Sequence, residues 1–140
     1  MTTTTTTIEQ AIAAAGGRDA FRLDLGGTSV SDLSPLAGLT QLEYLCLDDT
    51  RVSDLTPLAG CAAIELLDLG STQVSDLSPL AGLATIKTLD LSGTQVSDLS
   101  QLVGLTWLEW LELAGTQVSD AQIVTFRAAH PLCEVRTGGR

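Results

Sequence analysis

The tripeptide Leu23-Asp24-Leu25 returns every 22 residues, as Leu45-Cys46-Leu47, Leu67-Asp68-Leu69, Leu89-Asp90-Leu91 and Leu111-Glu112-Leu113, without insertion or deletion. A weaker copy, Cys133-Glu134-Val135, follows at the same step. Thr28, Thr50, Thr72, Thr94 and Thr116 hold one offset from these strands. Val30, Val52, Val74, Val96 and Val118 hold a second, and Asp32, Asp54, Asp76, Asp98 and Asp120 a third. A fixed period of this length restricts the chain to architectures in which identical small units stack and each buries its apolar face against the next. Leucine supplies 25 of the 140 residues and the aromatics only five, as such a repeated packing unit requires.

Each unit can be read physically. Leu-x-Leu alternates with period two and predicts a short strand with both leucines on one side. Leu33, Leu36, Leu39 and Leu42 then fall three apart, which suits a 3₁₀ or tight helical turn. Ser34, Thr56 and Ser78 are N-cap types, each followed by a proline suited to the first helical position. Gly38, Gly60, Gly82 and Gly104 are expected to end these turns. Stacking the units gives a parallel sheet over a column of leucine. An unrelated right-handed β-helix is the alternative with the same period.

The unit L-x-L-x-x-T-x-V-S-D-L-[ST]-P-L-A-G-L resembles the 22-residue leucine-rich repeats of internalins and of the protein phosphatase-1 regulatory type, over residues 21 to 136. The resemblance implies an α/β solenoid, a right-handed superhelix with a concave parallel sheet and 3₁₀ turns or short helices on the convex side. It also implies recognition on the concave face. Those repeats usually carry Asn where this chain has Thr28 to Thr116, so the bonding along that column is expected to be weaker or rearranged here.

Both ends read as caps. Residues 1–7, a threonine run, are expected to be a flexible tail, and Thr7-Ile8-Glu9-Gln10 has the form of a capping box opening a helix over 8–15. Ile8, Ala11, Ile12 and Ala15 form its apolar face and Gly16-Gly17 its end. At the other end Ser119-Asp120-Ala121-Gln122 opens a helix over 120–129, with Ile123 and Phe126 facing the core and Pro131 stopping it. A last strand is expected over 133–135, and residues 137–140 as a tail. The repeat domain is thus 8–136, and capped ends suggest a complete array.

Three rows of outward side chains follow from the period. The first carries Arg22, Tyr44, Leu66, Thr88, Trp110 and Leu132. The second carries Asp24, Cys46, Asp68, Asp90, Glu112 and Glu134, and the third carries Gly26, Asp48, Gly70, Ser92, Ala114 and Arg136. Strands lie about 4.7–4.9 Å apart. Neighbouring carboxylates at that distance repel by about 1 kcal/mol in water. Asp68, Asp90, Glu112 and Glu134 therefore suggest either a cationic partner or one acid copied by duplication and tolerated through screening. Trp110, with Tyr44 and Leu66 further along its row, has the form of an interface anchor; it could equally pack on a neighbouring side chain or under the C-terminal cap. Trp107 lies three residues earlier, on the return loop.

Other chemistry is poorly supported. One histidine, His130, precedes Pro131 at a helix end and suits a capping role. Cys46, Cys61 and Cys133 have no metal-ligand spacing and read as small hydrophobes. Cys46 alone lies on the open face, where acidic neighbours would raise its pKa. Asp32 and its equivalents suit capping of the turns rather than calcium. Net charge is −10, with seven scattered basic residues, which argues against nucleic acid. No apolar run approaches the ~18 residues of a membrane span, and no signal peptide is visible. The chain is therefore expected to be a monomeric, non-enzymatic module without cofactor or metal. It would bind a protein partner, basic in character, through Tyr44, Leu66, Asp68, Asp90, Trp110, Glu112 and Glu134. The expected compartment is the cytoplasm, or outside the cell if a signal has been removed. Three alternatives stay open: a duplicated scaffold without a dedicated partner, the substrate-recognition part of a larger effector, and a phosphatase-regulatory assembly.

Overall fold

The computed structural model describes residues 3–138. Six strands of three residues each, β1 (Arg22–Asp24), β2 (Tyr44–Cys46), β3 (Leu66–Asp68), β4 (Thr88–Asp90), β5 (Trp110–Glu112) and β6 (Glu134–Arg136), form one parallel sheet in sequence order. Between consecutive strands the chain makes a 3₁₀ turn at Ser34–Leu36, Thr56–Leu58, Ser78–Leu80 and Ser100–Leu102. The repeat therefore stacks as a solenoid, and the leucine positions of every coil are buried in one continuous core that also takes the valine column.

Two sets of bonds repeat outside the strands, one within each coil and one between coils. Each repeat threonine turns its hydroxyl back onto the carbonyl three residues earlier, from Thr28 to Leu25 through Thr116 to Leu113, at 2.7–2.8 Å. The bonding between coils is then made by the backbone. Arg51, Gln73, Gln95 and Gln117 donate their N–H groups to the carbonyls of Val30, Val52, Val74 and Val96 at 3.0–3.1 Å. Each threonine hydroxyl is satisfied within its own coil, so the column is rearranged rather than left unsatisfied.

Capping of the turns falls to the aspartates, as expected of them, and not to the hydroxyl residues expected at the N-cap. The turns open with Ser34, Thr56, Ser78 and Ser100, and none of these is the capping residue. Asp32, Asp54, Asp76 and Asp98 do that work: each carboxylate accepts the backbone N–H two residues on, at 2.9 Å. The hydroxyl and backbone N–H of Ser34 and Thr56 hold Asp32 and Asp54 below the usual carboxylate range, and the backbone N–H and hydroxyl of Ser78 and Ser100 do the same for Asp76 and Asp98. Of the four glycines expected to end the turns, only Gly38 takes a left-handed φ, +86°; Gly60, Gly82 and Gly104 do not. The left-handed position lies instead just after each strand, at Gly27, Asp49, Ser71, Gly93 and Gly115.

The N-terminal helix α1 (Thr3–Ala14) begins earlier than the expected Ile8, so Thr7 is not its cap. Residues 1 and 2 of the expected tail lie outside the described residues, as do 139 and 140. Once Ile8 and Ile12 are buried against the first coil, each further turn residue adds a hydrogen bond at low entropic cost. At the other end α2 (Asp120–Ala129) is capped by Ser119, which accepts the N–H of Gln122 at 3.2 Å. The Gln122 amide is used elsewhere: its oxygen accepts the N–H of Leu99 and its nitrogen donates to the carbonyl of Ser97, at 2.9 and 2.8 Å. His130 closes α2, its ring stacked on Phe126 and its nitrogens facing the carbonyls of Phe126 and Val103.

The last strand corrects the sequence reading. Val135, not Cys133, pairs with Leu111, so Glu134 stands opposite Trp110 and Arg136 opposite Glu112. The step is 24 residues, because an α-helix advances only about 1.5 Å per residue, against about 2.0 Å for a 3₁₀ turn. A helical return therefore needs more chain to come back to the sheet. Leu132 leaves the first row altogether and is 93% exposed.

Candidate functional site

Register fixes what the open face of the sheet presents. The first row runs Arg22, Tyr44, Leu66, Thr88, Trp110, Glu134, and the second Asp24, Cys46, Asp68, Asp90, Glu112, Arg136. Tyr44, Leu66, Thr88 and Trp110 are adjacent and each is half-buried. The two aromatics thus stand three strand steps, about 14 Å, apart. The structure brings together every sequence-predicted site residue on one face, but Glu134 joins the aromatic row instead of the acidic one.

The acidic row has a local structural role that the sequence reading did not supply. Asp24, Asp68 and Asp90 each accept the backbone N–H two residues on, at 2.9 Å, from Gly26, Gly70 and Ser92. Glu112 accepts that of Ala114 at 3.2 Å, and Asp90 also takes the Ser92 hydroxyl at 2.7 Å. An i to i+2 bond from Asp to the backbone is an ordinary turn device. Burial, with Asp90 and Asp48 as like-charged neighbours, nevertheless raises the Asp68 carboxyl above its usual range.

Cys46 interrupts this row. Its thiol donates to Asp48 Oδ1 at 2.8 Å, and burial first, then that bond and the field of Asp68 and Asp48, push its pKa up to about 12. A thiol held protonated in this way is a poor nucleophile at neutral pH. Gly26 makes room for Asp48, since a Cβ there would collide with its Oδ1. Asp24, Cys46 and Asp48 place their ligand atoms within 4.8 Å of one another, a set able to hold a metal ion. Cys46 also lines a hollow of about 330 Å³ on the sheet, with Arg22, Asp24, Tyr44 and Leu66. All three cysteines are free thiols, and Cys61 and Cys133 are buried.

Two arginines complete the face: Arg22 keeps its expected place in the first row, and Arg136 moves from the third row to the second. The Arg22 guanidinium lies 4.8 Å from the centre of the Tyr44 ring, and that of Arg136 5.1 Å from the Trp110 ring. Both are cation–π contacts, one at each end of the sheet. The signal for Arg136 was hidden by the 24-residue step. Arg136 also makes an exposed 3.4 Å ion pair with Glu134. Trp107 stands beside this face, 63% exposed, over a recess lined by Glu65, Thr85 and Lys87. Away from the sheet, an apolar groove of about 320 Å³ separates the Ser100–Leu102 turn from α2. Among the described residues no helix is long and apolar enough to cross a membrane.

No family model and no curated protein matches the chain. Solved structures do. Internalin C2 of Listeria monocytogenes is 36% identical with a TM-score of 0.76, over 91% of this chain and 54% of that one. An internalin, InlF, of the same organism is 27% identical with a TM-score of 0.69, over 94% of this chain and 44% of that one. A leucine-rich-repeat protein of Leptospira interrogans shares the fold at 21% identity and a TM-score of 0.74, over 81% of this chain and 30% of that one. This chain thus spans about half the length of the internalins it resembles.

Proposed function

Because the chain is a leucine-rich-repeat protein with an internalin-like solenoid, we propose that it is a protein-interaction module that takes its partner on the concave sheet. The observation that carries this reading is the in-register row Tyr44, Leu66, Thr88 and Trp110, half-buried and flanked by the carboxylates of Asp68, Asp90 and Glu112. An aromatic anchor beside apolar and charged neighbours is the usual make-up of a binding hot spot. Glu134 and Arg136 extend the face beyond Trp110. Binding requires no bond-making chemistry, cofactor or metal from these residues, and the protonated Cys46 thiol suits a non-enzymatic role. The module acts as a monomer, and its three free thiols suit a reducing compartment.

A second reading is favoured by one observation. Each acid of the second row bonds its own backbone, so the row could persist in a duplicated array that has no dedicated partner. A photo-reactive side chain at position 88 on the sheet, compared with one at position 81 on the turn side, separates the two. Capture of one specific protein from position 88 alone supports the module. Equal or no capture from the two positions supports the bare array.

A further inference from the structure

We infer that the occupant of the concave face is a basic α-helix lying across the strands, its cationic side chains following Asp68, Asp90 and Glu112; this rests on the concave-face reading above. The three carboxylates stand on adjacent strands in register. Among the described residues none of them is paired with a cation. The face does own two guanidinium groups, but both are drawn to its ends, Arg22 onto Tyr44 and Arg136 onto Trp110. The middle of the face, at Asp68 and Asp90, is therefore left anionic; Glu112 has Arg136 opposite it, but that guanidinium is turned onto Trp110. A complementary partner carries its charge at the centre and not at the margins.

Spacing selects a helix over an extended segment. One strand step is about 4.7–4.9 Å, so Asp68 to Glu112 spans about 9.4–9.8 Å. Side chains three or four apart on a helix lie about 5–6 Å from each other, and residues seven apart rise about 10.5 Å. Cations at i, i+3 and i+7 thus meet the three carboxylates in turn. Same-face residues of an extended chain fall about 6.6–6.8 Å apart and run out of step by the third. The width agrees too: three-residue strands offer about 10 Å, and a helix with its side chains is about 10–12 Å across. Leu66, Thr88 and Trp110, beside the acidic row, would receive the apolar flank of the same helix.

The test uses two alanine-rich peptides about 18 residues long, long enough to be helical. Both carry three lysines, placed at i, i+3 and i+7 in one and at i, i+2 and i+5 in the other. Calorimetric titration into the whole protein is expected to show the one-face peptide binding at least about tenfold more tightly. The double substitution Asp68→Asn with Asp90→Asn keeps both backbone acceptors, and thus the turns, and should abolish that preference. Equal affinities, no binding of either peptide, or a preference that survives the double substitution overturns the inference. Peptide discrimination and cross-linking from position 88 are separate readouts. If cross-linking succeeds without discrimination, only the helix fails; if it fails, the concave-face reading itself is lost.

Discussion

The guanidinium of Arg136 lies 5.1 Å from the centre of the Trp110 ring, although the two residues belong to different rows of the sheet. The contact exists because the helical return through α2 lengthens the last step by two residues and delivers Arg136 beside Glu112. It caps the aromatic end of the face with a cation, as Arg22 does over Tyr44 at the other end. Arg136→Ala should uncover the indole. In a Trp107→Phe background, acrylamide quenching of Trp110 should rise, with a stability loss of about 0.5–1 kcal/mol. Unchanged quenching would mean that the guanidinium does not shield the ring.

Gln122 fastens the C-terminal cap by standing in for a further coil, with both ends of its amide on the backbone of Ser97 and Leu99. Gln122→Ala leaves the half-buried Leu99 N–H without that acceptor. Denaturant unfolding should show a loss of about 1–3 kcal/mol. Exchange of the Leu99 amide should accelerate more than that of Leu67. Equal acceleration at both would show that the residue does not act locally.

The two sets of aspartates give opposite pH dependence. Asp76 has a depressed folded pKa, so its contribution is present above the unfolded value and is lost as pH falls through the folded one. Asp76→Ala should therefore lower the Tm at pH 7, and the deficit should shrink as pH falls below the ordinary carboxylate value. Asp68 has a raised folded pKa, so its ionisation costs stability as pH rises through that value. Asp68→Asn keeps the acceptor for Gly70 and removes the charge. It should raise the Tm at pH 7 and leave it unchanged at pH ~3. A lower Tm at pH 7 would contradict this.

Ser71 takes φ +56° at a position that Gly27, Gly93 and Gly115 occupy in other coils. A left-handed backbone costs a side chain about 1–2 kcal/mol, offset in part by the greater entropy a glycine loses on folding. Ser71→Gly should raise unfolding stability by up to about 1 kcal/mol, and Gly93→Ala should lower it. A Ser71→Gly protein less stable than the parent would show that the serine side chain is needed there.

The repeat was legible because stacking makes one local rule hold in every coil. Leu23, Leu45, Leu67, Leu89 and Leu111 stand opposite one another as the 22-residue period requires. The face residues Tyr44, Leu66, Asp68, Asp90, Trp110 and Glu112 were legible for the same reason. What escaped lies where the rule stops. Glu134 and Arg136 were misplaced because α2 changes the rise per residue. The threonine run in α1 looked like a tail because weak helix formers give no signal of a helix anchored by Ile8 and Ile12. The bonds of Asp68 and Asp90 to their own backbone were missed because charge repulsion is visible in a periodic sequence, whereas a turn two residues on is visible only in its geometry.

The concave face is the proposed binding surface, with Trp110 as its anchor. The most direct measurement is the affinity of the protein captured at position 88, titrated against the parent chain and against Trp110→Ala. A weakening of about 30-fold or more, some 2 kcal/mol, is the predicted result. Equal affinity, with the variant folded as the parent, would contradict it.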